Sequence, residues 1–177
     1  MSRDDFKLEL TTSEDAHTIR NLWPLYVHDI STYDGQAPNP HGVFGAAEDV
    51  RDWNGPGDWW SKTQFLFPYL VRVGGAAAGF NLISSGPYVT TEGVDFVVHE
   101  FFVTHAFRGG DTAMRAAQQG IERHRGRWEV VTYPNAPGPI AFWRKTLPTC
   151  TQGDVRETEE DHALGRKVVF RFDNRVK

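Results

Sequence analysis

Apolar and polar residues alternate from Phe6 to Leu10, the pattern of an edge or half-buried strand. Thr12 or Ser13, followed by Glu14 and Asp15, reads as an N-cap, and a helix is predicted from Glu14 to about Ile30. Its buried stripe is Ala16, Ile19, Leu22, Trp23, Tyr26 and Val27, and Pro24 inside it predicts a kink or two shorter helices. Residues 31–63 are punctuated by Pro and Gly and leave room for one short helix, over Ala46 to Trp53. Trp53, Trp59 and Trp60 within this stretch either pack onto the core or line a substrate cleft.

Denser apolar runs follow. Phe65 to Val73 and Ala76 to Ile83 read as strands joined by the two-residue turn Gly74-Gly75. Val94 to Val103 is a third strand, and the three predict an antiparallel meander. From Thr112 to Arg125 a helix places Ala113, Ala116, Ala117, Gly120 and Ile121 inward, side chains small enough for close approach to a sheet. Trp128 to Thr132 is a short strand, and the helix before it predicts a parallel crossover. Pro139 opens a helix to about Leu147. The run DVRETEEDHALG reads as a polar loop with a solvated face, and Arg166 to Phe172 as a closing strand. The expected fold is α/β with a mixed sheet, one domain over residues 1–177.

Composition narrows the function. A net charge of -4 argues against a general nucleic-acid binder, which needs a basic face. Cys150 is the only cysteine, so no internal disulfide and no thiolate metal cluster is available. The start MSRDDFKLEL lacks the apolar core of a signal peptide and no run approaches membrane-spanning length, so a cytoplasmic protein without a membrane partner is expected.

The chain is organised around His99 to Ile121: an apolar strand, a short basic and Gly-rich turn, then a helix start. Unpaired amides at a helix N-terminus, reached through a glycine turn, suit a phosphorylated ligand. Glu100-Phe101-Phe102-Val103 at the strand end and Arg108-Gly109-Gly110-Asp111-Thr112-Ala113 at the helix start resemble the central signature of the GNAT superfamily of acyl-CoA-dependent N-acyltransferases. Asn135 and Ala141-Phe142-Trp143-Arg144-Lys145 are similar to its second feature, an Asn after the next strand and an aromatic pair in the next helix.

That resemblance implies a GNAT-like mixed, splayed central sheet flanked by helices, with strands ending near Val103 and Val131 spreading apart. It implies acetyl-CoA as co-substrate, its pantetheine arm bonded to backbone at Phe101, Phe102 and Val103 and its pyrophosphate on the amides of Gly109, Gly110, Asp111, Thr112 and Ala113. Arg108 would support the turn or face a phosphate, Asn135 would contact the arm, and Phe142 would flank it. The partner would be a small-molecule amine or amino-acid-like substrate, and the protein a monomer or homodimer.

Amine acylation needs a proton acceptor, and Glu100, flanked by Phe101 and Phe102, is the candidate general base. His99 is a second candidate, expected to face away from Glu100 in a regular strand. Trp143 stands where many members of the family have tyrosine, so the acid is unassigned among Tyr133, Tyr69, Tyr88 and Tyr26. Asp111 departs from the signature, bringing a carboxylate to a place meant for phosphate unless its side chain caps the helix at Ala113 or Met114. The alternative reading is therefore a different enzyme, or a non-catalytic binding protein, on the same fold with lost or altered CoA use.

Overall fold

In the computed structural model, residues 5–48, 57–151 and 154–175 are described. The strands are β1 (Phe6–Leu10), β2 (Leu66–Val73), β3 (Ala76–Ser85), β4 (Phe96–Val103), β5 (Arg127–Thr132), β6 (Val155–His162) and β7 (Gly165–Asp173). The helices are α1 (Ala16–Asp34), α2 (Thr112–Glu122) and α3 (Pro137–Thr146). One seven-stranded sheet runs β1-β2-β3-β4-β5-β7-β6. β1 to β4 are antiparallel neighbours, β4 and β5 are parallel, and β7 lies antiparallel between β5 and β6. The mixed α/β sheet and the meander are as the apolar pattern predicts. Gly74 and Gly75 adopt φ of 57° and 80°, the left-handed pair that a tight two-residue hairpin requires.

Two apolar cores sandwich the sheet. On one face α1 sets Ile19, Leu22 and Tyr26 against Leu70, Phe80, Leu82 and Phe102. On the other, Ala116, Ala117 and Ile121 of α2 and Ile140 and Trp143 of α3 pack on Val71, Val98, Trp128, Val130 and Phe170. Small residues on α2 matter here: a Cβ at Gly120 would come within 2.3 Å of Asn81 Nδ2, whose amide donates to Ala116 O at 3.1 Å.

Several boundaries differ from expectation. Neither Thr12 nor Ser13 caps α1; Asp15 occupies the cap position without a side-chain cap bond, and its carboxylate instead accepts from Thr12 N–H at 3.5 Å. α1 continues past Ile30 to Asp34, where Gly35 closes it at φ 72° with its N–H donated to Ser31 O. It remains one helix despite Pro24, because the apolar stripe on either side of the proline is held by the same sheet face. α2 ends at Glu122, short of Arg125, and α3 begins at Pro137 rather than Pro139. Residues 46–48 are not helical, and the rest of the short helix expected over Ala46 to Trp53 lies outside the described residues, as does Trp53 itself.

The charged run is the largest correction. Val155–His162 is a full strand, pairing with β7 from Val155↔Phe172 to His162↔Gly165. Its inward side chains are polar, so the alternation is invisible to an apolar pattern. Glu160 takes Arg171 at 2.6 Å, and Arg171 also reaches Glu129, a β5 carboxylate only 2% exposed. On the outer face Glu157 pairs with Arg144 of α3. An edge strand carrying charges on both faces resists further strand addition.

Candidate active site

The sheet opens beside β4. Only Phe96↔Trp128, Val97↔Glu129 and Val98↔Val130 join β4 to β5, so residues 99–103 continue with no strand partner on that side. The splay expected near Val103 and Val131 is present, and it begins earlier, directly after Val98. The β3 side explains this: Leu82 pairs with Glu100 but Ile83 with Val98, so His99 is an extra residue in a β-bulge.

The bulge overturns the expected alternation. Val98 packs among α2 and α3 residues, yet His99 meets Trp59 edge-on at 5.4 Å and Ser84 Oγ at 3.4 Å on the α1 side. Glu100 faces that side as well, where its carboxylate accepts the hydroxyl of Tyr26 from α1. His99 and Glu100 therefore share one face instead of opposing each other.

Glu100 is half-buried in protein and its pKa is pushed up to about 8 by desolvation. The Tyr26 hydrogen bond favours the charged form and works against that rise. Tyr26 is itself fixed by edge contacts with Trp23, Phe80 and Phe102 at 5.0, 5.4 and 5.9 Å. His99 keeps solvent access, but crowding at the cleft wall lowers its pKa. Of the four tyrosines considered as acids, Tyr26 and Tyr133 come to Glu100. Tyr133 follows β5, and its pKa is raised by burial and then by the Asp34 and Glu100 carboxylates. Tyr69 is committed to His124 at 2.9 Å and Tyr88 packs beside Phe65, so neither reaches the site.

The remaining predicted residues divide by side chain. Phe102 and Val103 are buried; Phe101 points to the opposite face and stacks on Phe142 at 5.5 Å, with Trp143 edge-on at 5.3 Å. Arg108 supports the turn: its Nε donates to Val103 O at 2.6 Å, and its far end pairs with Asp29 of α1. Gly109 takes φ 80°, and nothing lies within 4 Å of where its Cβ would be. Thr112 is buried and Ala113 half-buried at the α2 start, with Gly110 exposed before them.

Asp111 does not cap α2. It occupies the cap position with no side-chain cap bond; the carboxylate turns outward, 56% exposed, 3.7 Å from Arg115 one turn on. It thus does not compete for the first amides of the helix. Asn135 is diverted: its Nδ2 donates to Tyr33 O at 3.0 Å, tying the loop after β5 to the end of α1. That bond uses one amide hydrogen of Asn135 and leaves its other hydrogen and its Oδ1 for a further contact.

The turn at Gly109, the uncapped start of α2 and the unpaired edge of β4 fit a phosphorylated thioester on three counts. The carboxylate of Asp111 is a departure from that fit. No family model matches the chain, and none of the curated proteins does. Solved structures do. Ribosomal-protein-S5-alanine acetyltransferase from Vibrio fischeri superposes with a TM-score of 0.63 at 15% identity, over 98% of this chain and 96% of that one. Aminoglycoside acetyltransferase AAC(6')-Ib, in complex with coenzyme A and kanamycin, gives 0.62 at 14% identity over 96% and 95%. A putative acetyltransferase of the GNAT family from Desulfovibrio desulfuricans gives 0.55 at 12%, over 96% and 98%. The chain has the GNAT fold. Within that fold the parallel pair β4 and β5 is the splayed pair, and Glu100 stands at its fork. Among the described residues no helix is long and apolar enough to cross a membrane.

Sequence reasoning did not pick out Lys167, Tyr33 or Asp34 as site residues, although they surround Tyr133. Alternation in β7 offered a signal for Lys167: Val168, Phe170 and Phe172 face the α2 side, leaving Lys167 toward the cleft face. The other two lay in a helix end that the expected boundary at Ile30 excluded.

Proposed function

We propose that this protein is an acyl-CoA-dependent N-acyltransferase, most simply an N-acetyltransferase acting on the amine of a small molecule. The observation that carries the reading is the opening of β4 from β5 after Val98, with Glu100 held by Tyr26 at the fork. Acetyl-CoA would supply an activated thioester acyl group. Backbone at Phe101 to Val103 would hold the pantetheine arm, and the amides following Gly109 would meet the pyrophosphate, where hydrogen bonds and the helix dipole both favour negative charge. Arg108 stabilises that turn from behind through Val103 O and Asp29.

Glu100 accepts the proton of the attacking amine. At neutral pH the free enzyme holds it largely protonated, since burial sets its pKa near 8. A cationic amine arriving beside it lowers that pKa, so the carboxyl releases its proton to solvent and the carboxylate formed then takes the proton of the bound ammonium. Tyr26 keeps the carboxylate aimed, and Tyr133, whose hydroxyl feels both Asp34 and Glu100, would serve the leaving thiolate. The buried Cys150, in the core beneath α3, has no part in a covalent route.

Calorimetric titration with acetyl-CoA tests the cofactor, and thiol release with a panel of amines tests the transfer. Saturable binding and amine-dependent release are expected. Absence of binding at millimolar acetyl-CoA would sink the proposal and leave a non-acylating role for the fold.

A further inference from the structure

Lys167 is 9% exposed, and among the described residues its ammonium makes no hydrogen bond or ion pair. It sits over the Tyr133 ring, 3.7 Å from the centroid. A desolvated cation with no hydrogen-bonded or directly ion-paired anion is unfavourable in a structural role. Its neighbour on the same strand is differently placed: Arg171, four residues on and facing the same way, is saturated by Glu129 and Glu160. Asp34 is the carboxylate acting on Lys167; it is exposed, takes the Tyr133 hydroxyl and accepts the Gln36 N–H at 2.9 Å.

Tyr133 links this lysine to the fork. Lys167 covers its face, Tyr33 stacks on it at 6.3 Å, and its hydroxyl feels the Glu100 carboxylate. Glu100, Tyr133 and Lys167 thus line one stretch of the α1-side face, from β4 across the opening to β7. Asn135 locks the end of α1 over this stretch by donating to Tyr33 O.

Resting on the acyltransferase reading, we infer that the acceptor is an amine bearing a carboxylate, an amino-acid-like molecule whose anionic end is held by Lys167 while its amine meets Glu100. One lysine beside Asp34 suits a monoanion, because a phosphate dianion would meet repulsion from Asp34 that a single ammonium cannot offset. Burial also lowers the Lys167 pKa, and a bound carboxylate would reverse that drop.

The test is calorimetric binding of free amino acids, set beside their carboxamides and an aminoalkyl phosphate, to the whole protein without acetyl-CoA. At least one amino acid should bind, and its amide should bind about tenfold to a hundredfold more weakly, the loss of a charge-assisted contact. Lys167→Met should bring the acid down to its amide, and Lys167→Arg should retain part of the preference while confirming that the position tolerates change. Equal binding of acid and amide, no binding of any amino acid at millimolar concentration, preference for the phosphate, or discrimination surviving in Lys167→Met would each overturn the assignment. Because these titrations contain no acyl donor, they read independently of acyl transfer. Conversely, thiol release with amines lacking a carboxylate, unchanged in Lys167→Met, would remove this inference and leave the acyltransferase reading in place.

Discussion

Replacing Glu100 by Gln should change how stability depends on pH, with a sign and window set by burial. In the unfolded chain Glu100 titrates near the ordinary glutamate value of 4.5, and in the fold desolvation pushes it up to about 8. Below pH 4.5 both states hold the proton. Between the two values the folded state keeps it and the unfolded state has lost it, so stability falls as pH rises. The slope for one such group is about 1.4 kcal/mol per pH unit. Across the window this amounts to on the order of 5 kcal/mol, reduced by whatever the Tyr26 hydroxyl does for the charged form. Gln reproduces the protonated shape and does not titrate, so the other groups cancel when wild type and Glu100→Gln are compared. Urea denaturation followed by tryptophan fluorescence at pH values from about 3.5 to 9, roughly one unit beyond each end of the window, would give the difference curve. The expected curve is flat below 4.5, declines to about 8 and is flat above it. A difference that stays level throughout, or that rises with pH, would refute the assignment of Glu100 as a desolvated acid.

His124, crowded by Phe67, Phe96 and Trp128, has its pKa lowered from 6.5 to about 4 by burial and then by Arg123. Its contribution should therefore be present above pH 6.5 and lost as pH falls through 4, and the acid limb of wild-type denaturation should be shallower in His124→Gln. Gly79→Ala should cost about 2–4 kcal/mol, because its Cβ would stand 2.0 Å from Phe102 O and prise β3 from β4. Gly138→Ala, with nothing within 4 Å and a helical position in α3, should instead raise the melting temperature slightly. Asp111→Asn should tighten acetyl-CoA binding several-fold at low salt and less at high salt, since it removes an exposed carboxylate beside the turn. Unchanged affinity in calorimetry would show that Asp111 lies clear of the phosphates.

Much of this architecture was legible along the chain because its causes are local. Alternation marked β1, apolar runs marked β2 to β4, Gly74-Gly75 dictated a hairpin, and a helix between two strands forced the parallel crossover of β4 and β5. The order of these elements, with Glu100 at the strand end and Gly109 before α2, was enough to predict the GNAT-like sheet and an opening between β4 and β5, though not its start directly after Val98. The tertiary structure decided what each side chain at that opening does. Register across β3 produced the bulge at His99, and no residue type near position 99 announces it. Tyr26 reaches Glu100 from 74 residues away, and Asn135 is drawn to Tyr33 O across 102. β6 was hidden because its inner face is filled by Arg171 and its carboxylates where an apolar stripe would have signalled a strand. Periodicity and turn chemistry act between neighbours and are written in sequence order. Desolvation, ion pairing and strand register depend on partners distant in the chain, so the raised pKa of Glu100 and the burial of the Lys167 ammonium against Tyr133 exist only once the sheet has assembled.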